Sequence, residues 1–191
     1  LETIADPGLK RQLLDIAQDD VRRLDRLVTD IAEASRIDAQ LSHTRFEPVD
    51  LGQLIEQMIL AREARGIERQ VRLAFARPRR DVAVVMGEEA RLMLVIDNLL
   101  DNALNHTSAG TGVVLEADRR DDHVRLTVTD GGTGIPRADL RRVFEPFYTS
   151  DGRRGSGLGL AIARELSERM GGELTAESVP GRTTFALTLR A

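Results

Sequence analysis

The sequence predicts an α+β fold, a two-layer α/β sandwich preceded by a long helix. Three observations lead there. Strand-length stretches bounded by turn residues recur between residues 46 and 191, and the cleanest alternates through Val124, Leu126 and Val128. Helical stretches and mostly antiparallel strands segregate, as two packed layers require. Ahead of them, residues 9–42 place apolar side chains at spacings of three and four without a break.

That first stretch includes Leu13, Val21, Leu24, Ile31, Ile37 and Leu41, with arginines and aspartates between them. As one helix it would be roughly 50 Å long with a single apolar stripe. Such a stripe needs a partner, either a preceding helix in a hairpin or a second copy in a dimeric bundle. Asp6-Pro7-Gly8 is a turn, and residues 1–5 read as the tail of an earlier helix. The dimer is the expected arrangement, because the chain supplies no second long stripe.

His43 to Pro48 breaks the helix and opens a second unit, so residues 1–45 and 46–191 are expected to be separate domains. A short strand falls at 46–50, and Asp50 caps a helix over 51–64. Strands are expected at 71–76 and 82–86, with 77–80 as the turn. A helix follows over 88–106, then strands at 112–118 and 123–130. Residues 131–155 are glycine- and arginine-rich and too long for an ordinary connection, which predicts a mobile lid. A helix over 157–170 and a hairpin of 173–178 with 183–189 close the chain.

Composition narrows the function. The chain has 31 carboxylates against 27 basic residues, for a formal charge of −4, and no basic stripe stands out. With aromatics at only 3%, a nucleic-acid partner is not expected. Cysteine is absent, which removes disulfides, thiol catalysis and zinc–thiolate sites and suits a reducing compartment. No apolar stretch is long enough to cross a bilayer and no signal peptide opens the chain. It begins at Leu1, so a fragment of something longer is expected.

Two glycine turns carry the functional signal: Asp130-Gly-Gly-Thr-Gly134-Ile135 and Gly155-Ser156-Gly157-Leu158-Gly159-Leu160. Glycine admits positive φ and close approach, and a helix opening after such a turn offers free N–H groups to an anion. The single lysine, Lys10, lies far from both turns, which excludes a Walker loop and a protein-kinase lysine. On the 88–106 helix, Arg91, Asn98, Asn102 and Asn105 fall within about 60° of one another. The stripe is either a solvated edge or a ligand face. Asparagine is a poor helix former, and amide oxygens can ligate Mg²⁺ without adding charge beside a triphosphate. Asp130 shares a parity with Val124, Leu126 and Val128, so it points inward, where a ligand amine such as adenine N6 would satisfy it. The bland alternative is an ordinary Asp-Gly turn. Arg153, Arg154 and His106 can add charge for phosphates. Phe144, Phe147 and Tyr148 are either anchors of the lid or a small local core.

An asparagine helix, then Asp-x-Gly-x-Gly-Ile, then Phe-x-Pro-Phe, then Gly-x-Gly-x-Gly-Leu resembles the N, G1, F and G2 boxes of two-component sensor histidine kinases. These belong to a wider superfamily with gyrase, a heat-shock chaperone ATPase and MutL. Asn98-Leu-Leu-Asp-Asn102-Ala-Leu-Asn-His-Thr is similar to the N box and Phe144-Glu-Pro-Phe-Tyr to the F box; Val21-Arg-Arg-Leu-Asp-Arg-Leu-Val resembles the second helix of the dimerisation domain. The resemblance implies a Bergerat-type ATP-binding fold over 46–191 and part of a dimerisation domain over 1–45. It implies ATP and Mg²⁺ as ligands, with Asn102 and Asn98 at the metal and Asp130 on the adenine amine. Gly132, Gly134, Ile135 and Thr183 would lie about the base. The second glycine turn would hold the phosphates, near Phe147 and Tyr148. Asn105 departs from the family, which commonly carries a basic residue there; Arg153 or Arg154 is expected to compensate.

The same resemblance implies a homodimer, a response-regulator receiver domain as partner, and a cytoplasmic fragment of an inner-membrane protein anchored by segments outside this chain. The phosphoacceptor motif is missing, since His43, His106 and His123 are each followed by a non-acidic residue. Two other functions compete. A hydrolytic ATPase of the superfamily would carry a glutamate base four residues before the metal asparagine, where this chain has Asn98. The other is a non-catalytic dimeric scaffold whose nucleotide site only regulates conformation, and the intact boxes argue against it.

Overall fold

The computed structural model describes residues 46–64, 71–76, 83–108, 110–149 and 156–191, together with the helical positions Leu13, Leu14, Ala17 and Val21. The remainder of the expected 9–42 helix, its dimer, and the 77–80 turn lie outside the described residues.

Strand β1 (Glu47–Asp50) leads directly into helix α1 (Leu51–Ala64). Asp50 makes that junction: its Oδ1 accepts the N–H groups of Gly52 at 2.8 Å and Gln53 at 3.2 Å, satisfying two amides that have no partner inside the helix. Asp50→Ala should therefore lower stability by about 1 kcal/mol, measurable as a shifted urea midpoint at unchanged slope. Strands β2 (Arg72–Ala76) and β3 (Val84–Gly87) precede helix α2 (Glu89–His106). They do not form a hairpin. Strand β3 pairs antiparallel with β1, whereas β2 runs parallel to β4 (Gly112–Arg120) at the edge of the main sheet.

Strand β4 turns through Asp121, at φ 56°, into β5 (His123–Asp130), so its pairing continues two residues past the expected end at 118. Helix α3 (Gly159–Arg169) is followed by β6 (Glu173–Val179) and β7 (Arg182–Arg190). The five-stranded sheet has the order β2-β4-β5-β7-β6, with β2–β4 its one parallel pair. One face carries the core. Leu115, Val128 and Phe185 stand side by side in register, as do Ala117, Leu126 and Leu187, and all are buried. Leu92, Ile96, Leu99, Leu100 and Ala103 of α2 cover that face. The opposite face presents Thr127, Thr129, Thr184 and Thr188, none of them buried. The two-layer sandwich stands, and its open face explains the strict alternation along β5.

Helix α1 is fastened to α2 by Arg62, whose Nη2 lies 2.6 Å from Asp97 and 2.8 Å from Asp101. Both carboxylates sit one position before an asparagine of the polar stripe, so the clamp fixes the rotation of the helix that presents Asn98 and Asn102.

Candidate functional site

The sheet ends in a polar row facing the helices. Asp130 of β5 pairs with Thr183 of β7, and Thr183 with Ser178 of β6, all on the parity of the core residues. Asp130 is 2% exposed and Thr183 is 4% exposed. The Asp130 Oδ1 accepts the N–H of Gly132 at 2.8 Å; its Oδ2 has no hydrogen-bond partner among the described residues. Burial raises the Asp130 carboxyl above its ordinary range, against the opposing pull of the Gly132 amide and His106. An ionised carboxylate half-satisfied in a buried place is costly, and a donor supplied by a ligand relieves the cost.

The segment after Asp130 is tied to two elements. Gly132 forms a bridge with Thr107 at the end of α2, and a Cβ on Gly132 would stand 2.5 Å from the His106 carbonyl oxygen and 2.6 Å from Asp130 Oδ1. Only glycine lets the helix end come this close. Gly134, at φ +88°, packs on Val179, and Ile135 donates its N–H to Ser178 Oγ at 2.8 Å. The close of α2 and the Asp130 turn thus form one structure.

On α2, Asn98 and Asn102 are half-buried, whereas Asn105 and His106 are exposed at its end. Asn98 is engaged: its Nδ2 donates to the Leu94 carbonyl at 2.9 Å, and its Oδ1 abuts Gly159, where a Cβ would lie 2.6 Å away. Asn102 makes no hydrogen bond to any described residue. The stripe is therefore mixed, with the Asn98 amide engaged in helix packing and the Asn102 amide without a hydrogen-bond partner among the described residues.

The aromatic motif anchors the chain, not a detached flap. Phe144, in a single 3-10 turn (Arg142–Phe144), is buried edge-to-face on Phe185 with ring centroids 6.2 Å apart. Phe147 is exposed, at φ 66°, and its N–H donates to the Gly157 carbonyl at 2.9 Å. The Arg142 guanidinium lies 4.7 Å from the centre of the Tyr148 ring, and desolvation with a bond to Asp139 pushes the phenol up. Gly157 sits at φ +76°, and a Cβ there would meet the Phe147 carbonyl carbon at 2.6 Å. This left-handed residue is why α3 starts at Gly159 and not at 157. Buried Ser156 accepts the Leu158 N–H at 3.2 Å; Leu158 is buried and Leu160 half-buried. Of the expected lid, 131–149 are tied down at Gly132, Ile135, Phe144 and Phe147, and Arg153, Arg154 and Gly155 lie outside the described residues.

Among the described residues no three His, Cys, Asp or Glu side chains are grouped to hold a metal. Ser178 lies outside the glycine and asparagine motifs yet contributes to the row beside Asp130. The two-residue turn at Pro180 and Gly181 fixes Ser178 opposite Thr183, a pairing that could have been read from the hairpin itself.

A family described as histidine kinase-, DNA gyrase B- and HSP90-like ATPase matches residues 87–191, more than half of the chain. The chain belongs to this family. Among its curated relatives, the sensor protein ChvG of Rhizobium meliloti (strain 1021) is 39% identical over 184 residues, covering 91% of this chain and 32% of that protein. The signal transduction histidine-protein kinase BaeS of Escherichia coli (strain K12) is 36% identical over 168 residues, covering 85% of this chain and 36% of that protein. The chain thus spans about a third of the length of these relatives. Among solved structures, the mycobacterial sensor histidine kinase MprB aligns with a TM-score of 0.64 at 29% identity, over 76% of this chain and 97% of that one. Full-length ShkA, solved in complex with AMPPNP, aligns with a TM-score of 0.73 at 29% identity, over 99% of this chain and 40% of that one. The α+β fold and the ATP-binding character of the domain are those of sensor histidine kinase catalytic domains.

Proposed function

We propose that this chain is the catalytic part of a sensor histidine kinase, binding Mg-ATP and passing the γ-phosphoryl group to a histidine, for relay to a response-regulator aspartate. The observation that carries it is the buried Asp130 carboxylate, with Oδ2 open and the turn of Gly132 and Gly134 locked beside it, one helix end away from an uncommitted Asn102. Asp130 takes the adenine N6 amine, while Thr183 and Ile135 border the base. The backbone of 156–159 and the N-terminus of α3 suit phosphate oxygens, with Arg153 and Arg154 as additional positive charge and His106 as a further hydrogen-bond donor. Asn102 is the Mg²⁺ ligand, and Asn98 supports it from one turn earlier, where its oxygen abuts Gly159. The bound metal would neutralise charge on the phosphates; the protein's share is to position nucleotide and acceptor in line.

We assign 46–191 to the ATP-binding unit and 1–45 to part of a helical unit that dimerises. Among the described residues no helix is long and apolar enough to cross a membrane, and we place this part of the protein in the cytoplasm. The absence of a glutamate at position 98 favours transfer over hydrolysis, because no base there activates water.

None of His43, His106 and His123 has an acidic successor. Incubation with labelled ATP should therefore leave the chain itself without acid-labile label, whereas a separately supplied helical domain bearing a His-acid motif should become labelled. Label on the chain alone would reject the acceptor assignment, and ATP consumption with free phosphate as the only product would favour a hydrolytic ATPase.

A further inference from the structure

Ser178 belongs to none of the four boxes, yet it joins two of the elements that border Asp130. Its Oγ accepts the Ile135 N–H at 2.8 Å, lies 2.9 Å from Thr183 Oγ1, and stands 3.3 Å from the Arg182 carbonyl oxygen. A hydroxyl has one proton, so these contacts constrain one another. With Ile135 donating to Ser178, the Ser178 proton goes either to Arg182 or to Thr183. In the first case Thr183 must donate to Ser178 and turns only lone pairs toward its neighbour in the row, Asp130; in the second it keeps a proton to offer. Either way Ser178 decides what the buried Thr183 hydroxyl presents. Its other bond holds the 131–135 strap on β6, where Gly134 packs on Val179.

We propose that Ser178 is a positioning residue for the base side of the nucleotide site, setting both the height of the 131–135 strap and the orientation of the Thr183 hydroxyl beside Asp130. The proposal rests on the assignment of Asp130 to adenine. Among the described residues Ser178 hydrogen-bonds to Ile135, Arg182 and Thr183, none of them in α2 or α3, so its influence is confined to the base and does not reach the metal asparagine.

The test is calorimetric titration of ADP, with and without Mg²⁺, into the full 191-residue chain as wild type, Ser178→Ala and Ser178→Thr. Removal of the hydroxyl leaves the Ile135 N–H without its acceptor and should weaken ADP about tenfold. The factor should be the same with and without Mg²⁺, since the metal side is untouched, and Ser178→Thr, which keeps the hydroxyl, should restore most of the affinity. Wild-type affinity in Ser178→Ala, or equal losses in the alanine and threonine variants, would overturn the proposal. If the wild type binds no ADP, the nucleotide assignment is what has failed. Amide exchange at Ile135 in the nucleotide-free protein then decides the hydroxyl tie alone: faster exchange in Ser178→Ala supports it, and equal exchange refutes it.

Discussion

Asp130→Asn should weaken ADP binding by about 1.5–3 kcal/mol, the range for hydrogen bonds that involve a charged group. The amide still accepts from Gly132, but it removes the charge and turns donors toward the adenine amine. The fold should not suffer equally. Burial raises the Asp130 carboxyl, so ionisation is disfavoured in the folded state; its contribution to stability is present at low pH and lost as pH rises through the raised value. At neutral pH the nucleotide-free Asp130→Asn protein should melt no lower than wild type. Affinity runs the other way. Wild-type ADP binding should weaken as pH falls through the raised Asp130 value, and Asp130→Asn should lack that dependence. A lower melting temperature with unchanged affinity would make Asp130 a structural residue.

Asn102→Ala should abolish the tightening of nucleotide binding by Mg²⁺. A hard cation loses an oxygen ligand, and the described residues offer no carboxylate cluster to replace it. Groups that merely support a ligand are worth about 10–100-fold in metal affinity, so removal of a direct ligand should cost at least as much. Binding without Mg²⁺ should change little. Comparison of ADP affinity with Mg²⁺ and with chelator isolates the effect, and a variant that keeps the wild-type ratio would place the metal elsewhere.

These assignments were legible in the sequence to different depths. Parity alone turned Asp130 and Thr183 inward, because a strand with one buried face has no freedom of register. Asp50 was legible as a cap from its type and place. The partners of β2 and β3 were not, since alternation marks a strand without naming its neighbour, and the two joined different sheets. Helical angle grouped Asn98 with Asn102. It could not disclose that Gly159 of another helix packs so closely on Asn98 Oδ1 that a Cβ there would lie 2.6 Å away. The motif leaves Phe144 as either an anchor or a local core; its partner Phe185 lies far along the chain, and long-range packing is what a local pattern omits. Gly157 and Asp121 shifted element ends through backbone angles that composition permits but does not impose.

The central claim is that Asp130 reads the N6 amine of adenine, and parallel titrations of ADP and GDP into the wild-type chain at neutral pH test it most directly. Adenine offers an N–H donor at that edge, whereas guanine offers a carbonyl oxygen that a carboxylate repels. ADP should bind with one site per chain and GDP should not saturate at millimolar concentration. Equal affinity for the two, or no heat from either, would contradict the account.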